Sequence, residues 1–205
     1  MTEREKMIAG KLYDTSDEEL VKLREQAHRL SKDYNDTYDF EEEKREKILA
    51  ELLPDKDKTA FLQGPIYFDY GIHTKIGANV FINFNATVLD VCPVTIGDNV
   101  MIGPNVSIET PVHPLRYQDR NIRFKEDGTP YDYEYAKPIE IKRNCWIASN
   151  VTICGGVTIG EGCVIGAGSV VTRDIPDNSF AAGVPCKVIR EITDNDAIEL
   201  KKELY

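Results

Sequence analysis

The sequence has no run of about 20 apolar residues, the length that an α-helix needs to cross a bilayer, so we do not expect a transmembrane helix. The charged N-terminus, Met1-Thr2-Glu3-Arg4-Glu5-Lys6, has no apolar stretch behind it, which predicts a protein without a secretory signal. Positive charge is also scarce, because 25 Lys and Arg face 35 Asp and Glu, a net charge of −10. An acidic surface argues against binding to nucleic acid or to an anionic membrane.

Reactive side chains are few. The chain of 205 residues has three histidines and one tryptophan, and none of its five cysteines forms a CxxC pair. An odd number of cysteines without an export signal predicts reduced thiols and a cytoplasmic location. The composition, 41% apolar and 29% charged, is typical of a folded globular protein, and the length suits one domain with a small appendage.

Residues 1–60 are rich in charge and follow a helical pattern. Thr2 and Glu5 predict a capping box for a short helix that ends at Gly10. A further helix is predicted from about 41 to 53, because its apolar residues lie on one side and a proline follows it.

Between these two helices, Ser16 predicts a second capping box. Apolar residues then recur at intervals of three and four, which is one face of an amphipathic helix: Leu20, Leu23, Ala27, Leu30 and Tyr34. His28 lies on this helix, and we interpret it as a surface or packing residue.

From Ile66 onward a period of six replaces the helical pattern. Aliphatic residues lie six apart without a break at Ile141, Ile147, Ile153, Ile159, Ile165 and Val171. The same spacing occurs in two earlier groups, which are separated by an interval of eight: Ile76, Ile82 and Val88, then Ile96, Ile102 and Ile108. A period of six indicates a hexapeptide solenoid, in which three hexads close one triangular coil and the first residue of each points inward. Glycines and asparagines cluster near the turns, where a positive φ is expected.

Such a repeat carries no chemistry of its own, so function must lie where the repeat is interrupted. The longest interruption, residues 111–138, is rich in tyrosine. A loop of this length in a compact domain is typically functional. His113 lies at its root, between two prolines, and is a candidate catalytic residue. The alternative, a solvated loop histidine, stays open.

The chain resembles the maltose/galactoside O-acetyltransferase family of hexapeptide acyltransferases, and within it the maltose acetyltransferases most. The resemblance covers nearly the full length and is carried by Met7-Ile8-Ala9-Gly10-Lys11-Leu12-Tyr13, Tyr67-Phe68-Asp69-Tyr70-Gly71, Asn83-Phe84-Asn85, Leu89-Asp90-Val91-Cys92-Pro93, His113-Pro114, Cys145-Trp146-Ile147 and Ala182-Gly183-Val184-Pro185. It implies a mainly β fold, with a left-handed parallel β-helix over 61–192 and an extruded loop at 111–138. It also implies an N-terminal α-helical segment over 1–60, and we expect a helical tail over 193–205.

The activity that the resemblance implies is transfer of an acetyl group from acetyl-CoA, as co-substrate and without a metal, to a sugar hydroxyl. His113 would be the general base that takes the proton of the hydroxyl. A backbone N–H around Ser149 would stabilise the oxyanion. A covalent route through cysteine is the less favoured mechanism. Cys145 and Cys163 fill core-facing repeat positions, and Cys154 has no cationic neighbour in the sequence.

Three polar residues are the acceptor-binding candidates that the resemblance implies: Asp69, Asn83 and Asp90. Carboxylates and amides are natural partners for sugar hydroxyls. The alternative is that they cap turns of the solenoid. Asp90 matches the family less securely, because some relatives carry a carboxylate at the position of Val91.

Coenzyme A carries several phosphate charges, so cations near the last coils of an acidic protein are informative. The resemblance makes Arg173, Lys187 and Arg190 the phosphate contacts. It places Ser149, Ala167 and Thr172 along the pantetheine arm. Trp146 would form a wall of the same groove, with plain packing as the alternative.

Other functions stay open at this point. The acceptor could be a small molecule that is not a simple sugar, such as an amino sugar or a xenobiotic, and a non-catalytic solenoid used for binding is a further alternative. A β-helical carbonic anhydrase is rejected, because it needs three zinc-binding histidines and only His73 and His113 lie in the solenoid. The resemblance also implies a homotrimer with each site shared by two subunits, which a closed ring of flat faces makes plausible.

Overall fold

Aliphatic side chains six residues apart stack along the inside of a triangular solenoid of about six coils in the computed structural model, which describes residues 1–202. On one face, Ile76, Ile96, Ile141 and Ile159 lie in register on neighbouring strands, and none is more than 1% exposed. The inward direction of the first hexad position is therefore confirmed. The solenoid is a left-handed parallel β-helix, which confirms the predicted fold class.

The elements follow one another in the order helices, coils, loop, coils. The N-terminal segment contains α1 (Glu3–Ile8), β1 (Tyr13–Asp14), α2 (Glu18–Asn35) and α3 (Glu42–Leu52). The coils before the loop contain β2 (Phe61–Leu62), β3 (Ile66–Phe68), β4 (Thr74–Ile76), β5 (Phe81–Ile82), β6 (Ala86–Leu89), β7 (Val94–Ile96), β8 (Met101–Ile102) and β9 (Ser107–Glu109). The loop contains β10 (Pro111–Val112), α4 (Tyr117–Arg120), β11 (Arg123–Phe124), β12 (Pro130–Tyr131) and β13 (Tyr133–Ala136).

The coils after the loop contain β14 (Ile139–Ile141), β15 (Trp146–Ile147), β16 (Thr152–Cys154), β17 (Thr158–Ile159), β18 (Val164–Ile165), β19 (Val170–Val171), β20 (Ser179–Ala182) and β21 (Lys187–Glu191). Two 3₁₀ turns follow, Asp194–Asp196 and Ile198–Leu200. The tail was expected to be helical over 193–205; its described part has only these short turns, and 203–205 lie outside the described residues.

Three sheets form the faces of the prism. The seven-stranded face has the order β2-β5-β8-β15-β18-β20-β21, the five-stranded face β19-β16-β9-β6-β3, and the four-stranded face β17-β14-β7-β4. Strands of successive coils pair in parallel, and only β21 returns antiparallel against β20. The chain visits the faces in this order in every coil. Each coil therefore turns once between the seven- and five-stranded faces and once between the five- and four-stranded faces.

These two corners position the functional residues, so we name them by one residue each. The Ser149 corner joins the seven-stranded face to the five-stranded face. The His113 corner joins the five-stranded face to the four-stranded face, and the loop 111–138 leaves the solenoid there, between β9 and β14.

Asparagines form ladders along the corners of the prism. At one of them, the Asn79 amide donates to Asn99 over 3.2 Å, and the Asn99 amide donates to Asn144 over 3.3 Å. All three have a positive φ, which asparagine tolerates better than most residues. Several turn glycines, by contrast, do not have the positive φ that the sequence suggested. A Cβ at Gly97 would lie 2.5 Å from the backbone nitrogen of Arg143, so this glycine permits close approach of the next coil.

Replacing Asn99 with alanine is expected to lower the free energy of unfolding by about 1–2 kcal/mol, because alanine is strained at positive φ and makes neither amide hydrogen bond. Asn99→Gly is the matched control and should lose less, since glycine adopts this φ without strain. Urea denaturation of both variants measures the difference. Equal losses in the two would show that the backbone conformation is not what the asparagine provides.

The N-terminal segment begins with the predicted capping box, because the Thr2 side chain accepts from the Glu5 N–H and Glu5 accepts from the Thr2 N–H. The second capping box is corrected. The residue that caps α2 is Asp17, whose carboxylate accepts from the N–H groups of Glu19 and Leu20. Ser16 instead donates to Asp14.

The segment packs on the His113 corner through a small second core. Its buried members come from α1, β1, α2, the corner itself and the end of the loop: Met7, Tyr13, Leu20, Tyr70, Val91, Cys92 and Ala136. Gly10 (φ 68°) allows the close approach, because a Cβ there would lie 2.8 Å from the Ala136 carbonyl oxygen. No helix in residues 1–202 combines the length and the apolar character that a bilayer crossing demands.

Candidate active site

His113 follows β10, at the root of the loop. β10 pairs antiparallel with β13, which pairs on its other edge with β1 of the N-terminal segment. This three-stranded sheet brings Tyr13 of β1 opposite Glu134 of β13. A residue leaving the end of β10 therefore emerges beside Glu134.

Glu134 joins two side chains that are far apart in the sequence. One carboxylate oxygen accepts from the Tyr13 hydroxyl at 2.5 Å, and the other lies 3.3 Å from Nε2 of His113. The His113 side chain is 48% exposed, whereas that of Glu134 is only 13% exposed. Burial raises the pKa of the Glu134 carboxyl. The site thus has an accessible imidazole backed by a buried carboxylate.

Side-chain contacts fasten the loop to the N-terminal segment near this site. The Lys125 ammonium lies 2.6 Å from the Asp14 carboxylate and also donates to the Ser16 hydroxyl. The Thr15 hydroxyl donates to Asp132. The residues 111–138 are therefore a docked element with strands and a helical turn of its own.

Asp69 lies at the His113 corner, directly after β3. Its carboxylate lies 3.3 Å from Nε2 of His28, and both line a pocket of about 250 Å³. The His28 side chain is 57% exposed, as the sequence interpretation of a surface residue expected, and its ring contacts a candidate acceptor-binding residue. These two residues are 41 positions apart, and no local pattern in the sequence links them.

Asp90 also lies at the His113 corner but is completely buried. One carboxylate oxygen accepts from the N–H groups of Tyr70 and Gly71, at 2.8 and 3.1 Å, and the other accepts from the Thr74 hydroxyl at 2.9 Å. A carboxylate with no exposed surface and these donors cannot contact an acceptor. The prediction that Asp90 binds the acceptor is therefore replaced by the alternative reading, a group that holds the corner together.

Asn83, Ser149 and Ala167 lie at the Ser149 corner, where the coil of β8 separates Asn83 from Ser149 and Ala167 lies in the coil after Ser149. The Asn83 side chain accepts from the Phe84 N–H at 2.8 Å, and the Ser149 carbonyl accepts from the Gly168 N–H at 2.9 Å. Within residues 1–202 no acceptor is hydrogen-bonded to the Ser149 N–H. In this part of the chain the Ser149 N–H is therefore an unpaired donor.

The two corners are the opposite edges of one face. The chain crosses the five-stranded face from Asn105 to Thr110, which at 3.3 Å per residue is about 16 Å. Within one chain, the predicted base and the predicted oxyanion donor thus lie on different corners of the prism.

Trp146 lies on the seven-stranded face with its side chain 49% exposed. By strand register it belongs to an outward column of large apolar residues: Phe61, Phe81, Met101, Trp146, Val164 and Phe180. An apolar column of this size on a water-exposed face is typical of a binding or packing surface.

A groove of about 420 Å³ lies at the C-terminal end of the solenoid, and Thr172, Arg173 and Lys187 line it. Over residues 1–202, neither Arg173 nor Lys187 has a carboxylate within 4.0 Å, whereas Arg143 lies 2.8 Å from Glu161. Arg190 does not line the groove. Its guanidinium donates to both oxygens of Asp196, at 2.8 and 2.7 Å, and these hydrogen bonds lower the pKa of Asp196 to about 2.

Three family patterns match the chain. They are described as the maltose acetyltransferase hexapeptide capping motif at residues 6–56, the hexapeptide repeat of succinyl-transferase at 73–110, and the bacterial transferase hexapeptide at 138–173. The galactoside O-acetyltransferase of Escherichia coli is 44% identical over 196 residues, which are 96% of this chain and 91% of that protein. The chain belongs to the maltose/galactoside O-acetyltransferase family.

Solved structures agree with this membership. A maltose O-acetyltransferase from Clostridium difficile is 45% identical with a TM-score of 0.85, over 94% of this chain and 98% of that one. A galactoside acetyltransferase in complex with coenzyme A is 43% identical with a TM-score of 0.87, over 96% and 94%. A hexapeptide-repeat acetyltransferase of Vibrio cholerae complexed with acetyl coenzyme A is 36% identical with a TM-score of 0.83, over 95% and 100%.

The cysteines of this family member are poor nucleophiles. Burial raises the pKa of Cys92 to about 11 and also raises the pKa of Cys154, which is only partly exposed. Interaction with the neighbouring Cys145 thiol lowers the pKa of Cys163, but Cys163 is completely buried in the core, where no thioester reaches it. These surroundings favour direct attack by the acceptor over a covalent acyl-cysteine.

Proposed function

We propose that this protein transfers the acetyl group of acetyl-CoA to a hydroxyl of a sugar of the maltose, glucose or galactoside class. The observation that carries the proposal is similarity over nearly the whole chain to a galactoside acetyltransferase solved with coenzyme A. The exposed His113 beside a buried carboxylate and the unpaired cations of the end groove support it.

In the proposed reaction, an unprotonated nitrogen of His113 takes the proton of the acceptor hydroxyl as its oxygen attacks the thioester carbonyl. The carbonyl oxygen becomes an oxyanion, and the Ser149 N–H donates a hydrogen bond to it. The tetrahedral intermediate then expels the CoA thiolate, which takes the proton from the imidazolium. Asp69 and Asn83 hold the acceptor, and Trp146, Ala167 and Thr172 border the CoA groove.

Release of free thiol from acetyl-CoA tests the activity. The purified chain is mixed with acetyl-CoA and, separately, with maltose, glucose, a thiogalactoside and an amino sugar. Acetyl transfer to the plain sugars is the expected result. If only the amino sugar or an unrelated small molecule is acetylated, the acceptor class is wrong, and if none releases thiol, the enzyme proposal fails.

Neutralising the unpaired cations, in Arg173→Gln with Lys187→Gln, is expected to raise the KM for acetyl-CoA about tenfold or more, because each loses a charged contact to a phosphate. The KM for acetyl-pantetheine, which lacks those phosphates, should not change. Lys75→Gln, an exposed lysine on the four-stranded face, is the matched control. Arg190→Gln should have the smaller effect, since Asp196 already occupies that guanidinium. An unchanged KM for acetyl-CoA in the double variant would show that the CoA site lies elsewhere.

We infer that the protein is a homotrimer with each site shared by two subunits. The supporting geometry is that the His113 and Ser149 corners are separated within one chain. In the trimer, the Ser149 corner of a neighbouring prism meets the His113 corner of the first subunit and completes the site. A cleft between two prisms also excludes water from the thioester.

Light scattering should therefore give roughly 70 kDa, three times the 23.2 kDa chain. Complementation tests the sharing: His113→Ala and Asn83→Ala variants, each nearly inactive alone, should regain activity when co-expressed. With random assembly of equal amounts, each mixed trimer has one site with both intact residues, which is about a quarter of all sites. A one-chain mass in an active sample contradicts the trimer, and mixed trimers with no more activity than the single variants contradict the shared site.

A further inference from the structure

A continuous chain of polar contacts runs from the N-terminal segment to His113. The Tyr13 hydroxyl, on a side chain only 2% exposed, donates to Glu134, and the other oxygen of Glu134 faces Nε2 of His113. The three residues lie on three neighbouring strands of one small sheet or directly beside it, so their spacing is fixed by backbone pairing. Within residues 1–202, no hydrogen bond or ion pair involves the second ring nitrogen, Nδ1.

We propose that Glu134 and Tyr13 are positioning residues, which hold the imidazole of His113 in the Nε2–H tautomer and present Nδ1 as the nitrogen that takes the proton. This inference rests on the general-base role of His113 proposed above. It also gives the N-terminal segment a part in catalysis, because Tyr13 belongs to that segment.

The charge on Glu134 is what selects the tautomer. An ionised carboxylate accepts hydrogen bonds only, so the nitrogen facing it must carry the hydrogen. After proton transfer to Nδ1, the imidazolium lies beside the same carboxylate, which stabilises its charge. No bond to Glu134 forms or breaks, and the proton passes from the acceptor hydroxyl to Nδ1 and then to the CoA thiolate.

Tyr13 settles the orientation of Glu134. Because its hydroxyl occupies one carboxylate oxygen, the other is directed at the imidazole. Burial is the largest cause that raises the pKa of Glu134, and the charges of Asp132 and Asp69 also raise it. The Tyr13 hydrogen bond and the positive charge that develops on His113 counter that effect. In Glu134→Gln, Tyr13 would still donate to the oxygen, and the amide NH₂ would face Nε2.

The direct test is the tautomer of His113 in the full chain, read from long-range ¹H–¹⁵N spectra. With only three histidines in the sequence, the His113 ring is assigned by its absence in His113→Ala. The wild type should show the Nε2–H tautomer, and Glu134→Gln should shift it towards Nδ1–H. A wild-type ring in the Nδ1–H tautomer, or a tautomer that Glu134→Gln leaves unchanged, would overturn the proposal.

Kinetics give the second readout, with acetyl-CoA and whichever test sugar the wild type acetylates. Glu134→Gln should lower kcat by about 10²-fold or more with KM for acetyl-CoA unchanged. Tyr13→Phe, which keeps the packing, should lower kcat by about tenfold. Glu126→Gln, the same change on an exposed glutamate of the same loop, is the matched control and should match the wild type.

Stability separates positioning from a merely structural role. Because burial raises the pKa of Glu134 in the folded protein, its contribution to stability is present at low pH and declines as the pH rises from its unfolded value through its folded value. At pH 7, Glu134→Gln should therefore keep or raise the melting temperature while it loses kcat. A lower melting temperature with kcat unchanged would assign Glu134 to the fold alone. If His113→Ala is inactive but Glu134→Gln is not, the base survives and the positioning proposal fails.

Discussion

Replacing His113 with alanine is expected to lower kcat by at least about 10²-fold, while KM for acetyl-CoA stays within about twofold. The hydroxyl of a sugar is a poor nucleophile at neutral pH, and the imidazole is the exposed basic group held beside the buried Glu134 carboxylate. Because acetyl-CoA contacts are proposed at the end groove and the Ser149 corner, loss of the imidazole should act on the chemical step and not on donor binding.

The rival covalent route provides the control. Cys154 is partly exposed, whereas the other four cysteines are buried, so it is the thiol that a thioester could reach. Cys154→Ala should retain wild-type kcat, because burial and the nearby Glu109 charge raise its pKa and disfavour the thiolate. A His113→Ala enzyme with near wild-type kcat, or an inactive Cys154→Ala enzyme that folds normally, would assign the chemistry differently.

Replacing Asp90 with alanine is expected to lower the free energy of unfolding by about 3–5 kcal/mol, because it leaves several buried donors without an acceptor. The donors are the N–H groups of Tyr70 and Gly71 and the Thr74 hydroxyl, all in buried residues. Urea denaturation measures the loss. Asp98→Ala is the matched control, since Asp98 accepts from the Ala78 N–H at 2.8 Å in an exposed turn and should cost about 1 kcal/mol.

Urea denaturation and the KM for the sugar together distinguish the two interpretations of Asp90. If Asp90 bound the acceptor, its removal would raise the KM for the sugar and leave the free energy of unfolding unchanged. That is the result expected for Asp69→Ala. A carboxylate that holds the corner gives the opposite pattern. A stable Asp90→Ala protein with a raised KM for the sugar would restore the original prediction.

The solenoid could be predicted because its cause is local. An aliphatic residue at every sixth position is enough to direct one side chain per strand into the core, and Ile141, Ile147 and Ile153 do so on three successive faces. The first helix was equally predictable, because a capping box involves only residues three apart. The second cap was assigned to Ser16 instead of Asp17, since both are good capping residues and only the backbone geometry decides between them.

The candidate site was only partly predictable. His113 could be singled out because it follows the last hexad before the longest interruption. Glu134 lies 121 residues from Tyr13 and could not be linked to it, since antiparallel pairing of β1 with β13 depends on how the loop folds back over the corner. Asp90 resembled a ligand-binding residue in the sequence, where burial is not visible.

The sequence by itself determined the repeat, the core and the N-terminal helices, because each depends on the burial of regularly spaced apolar side chains. It also identified the family's chemical groups. Only the tertiary structure decided where those groups stand: His113 and Asp69 at one corner, and Ser149, Asn83 and Ala167 at the other. The physical reason is that the spacing of hexads fixes which side chains point inward. The partners of outward side chains are set instead by contacts between segments that are distant in the chain.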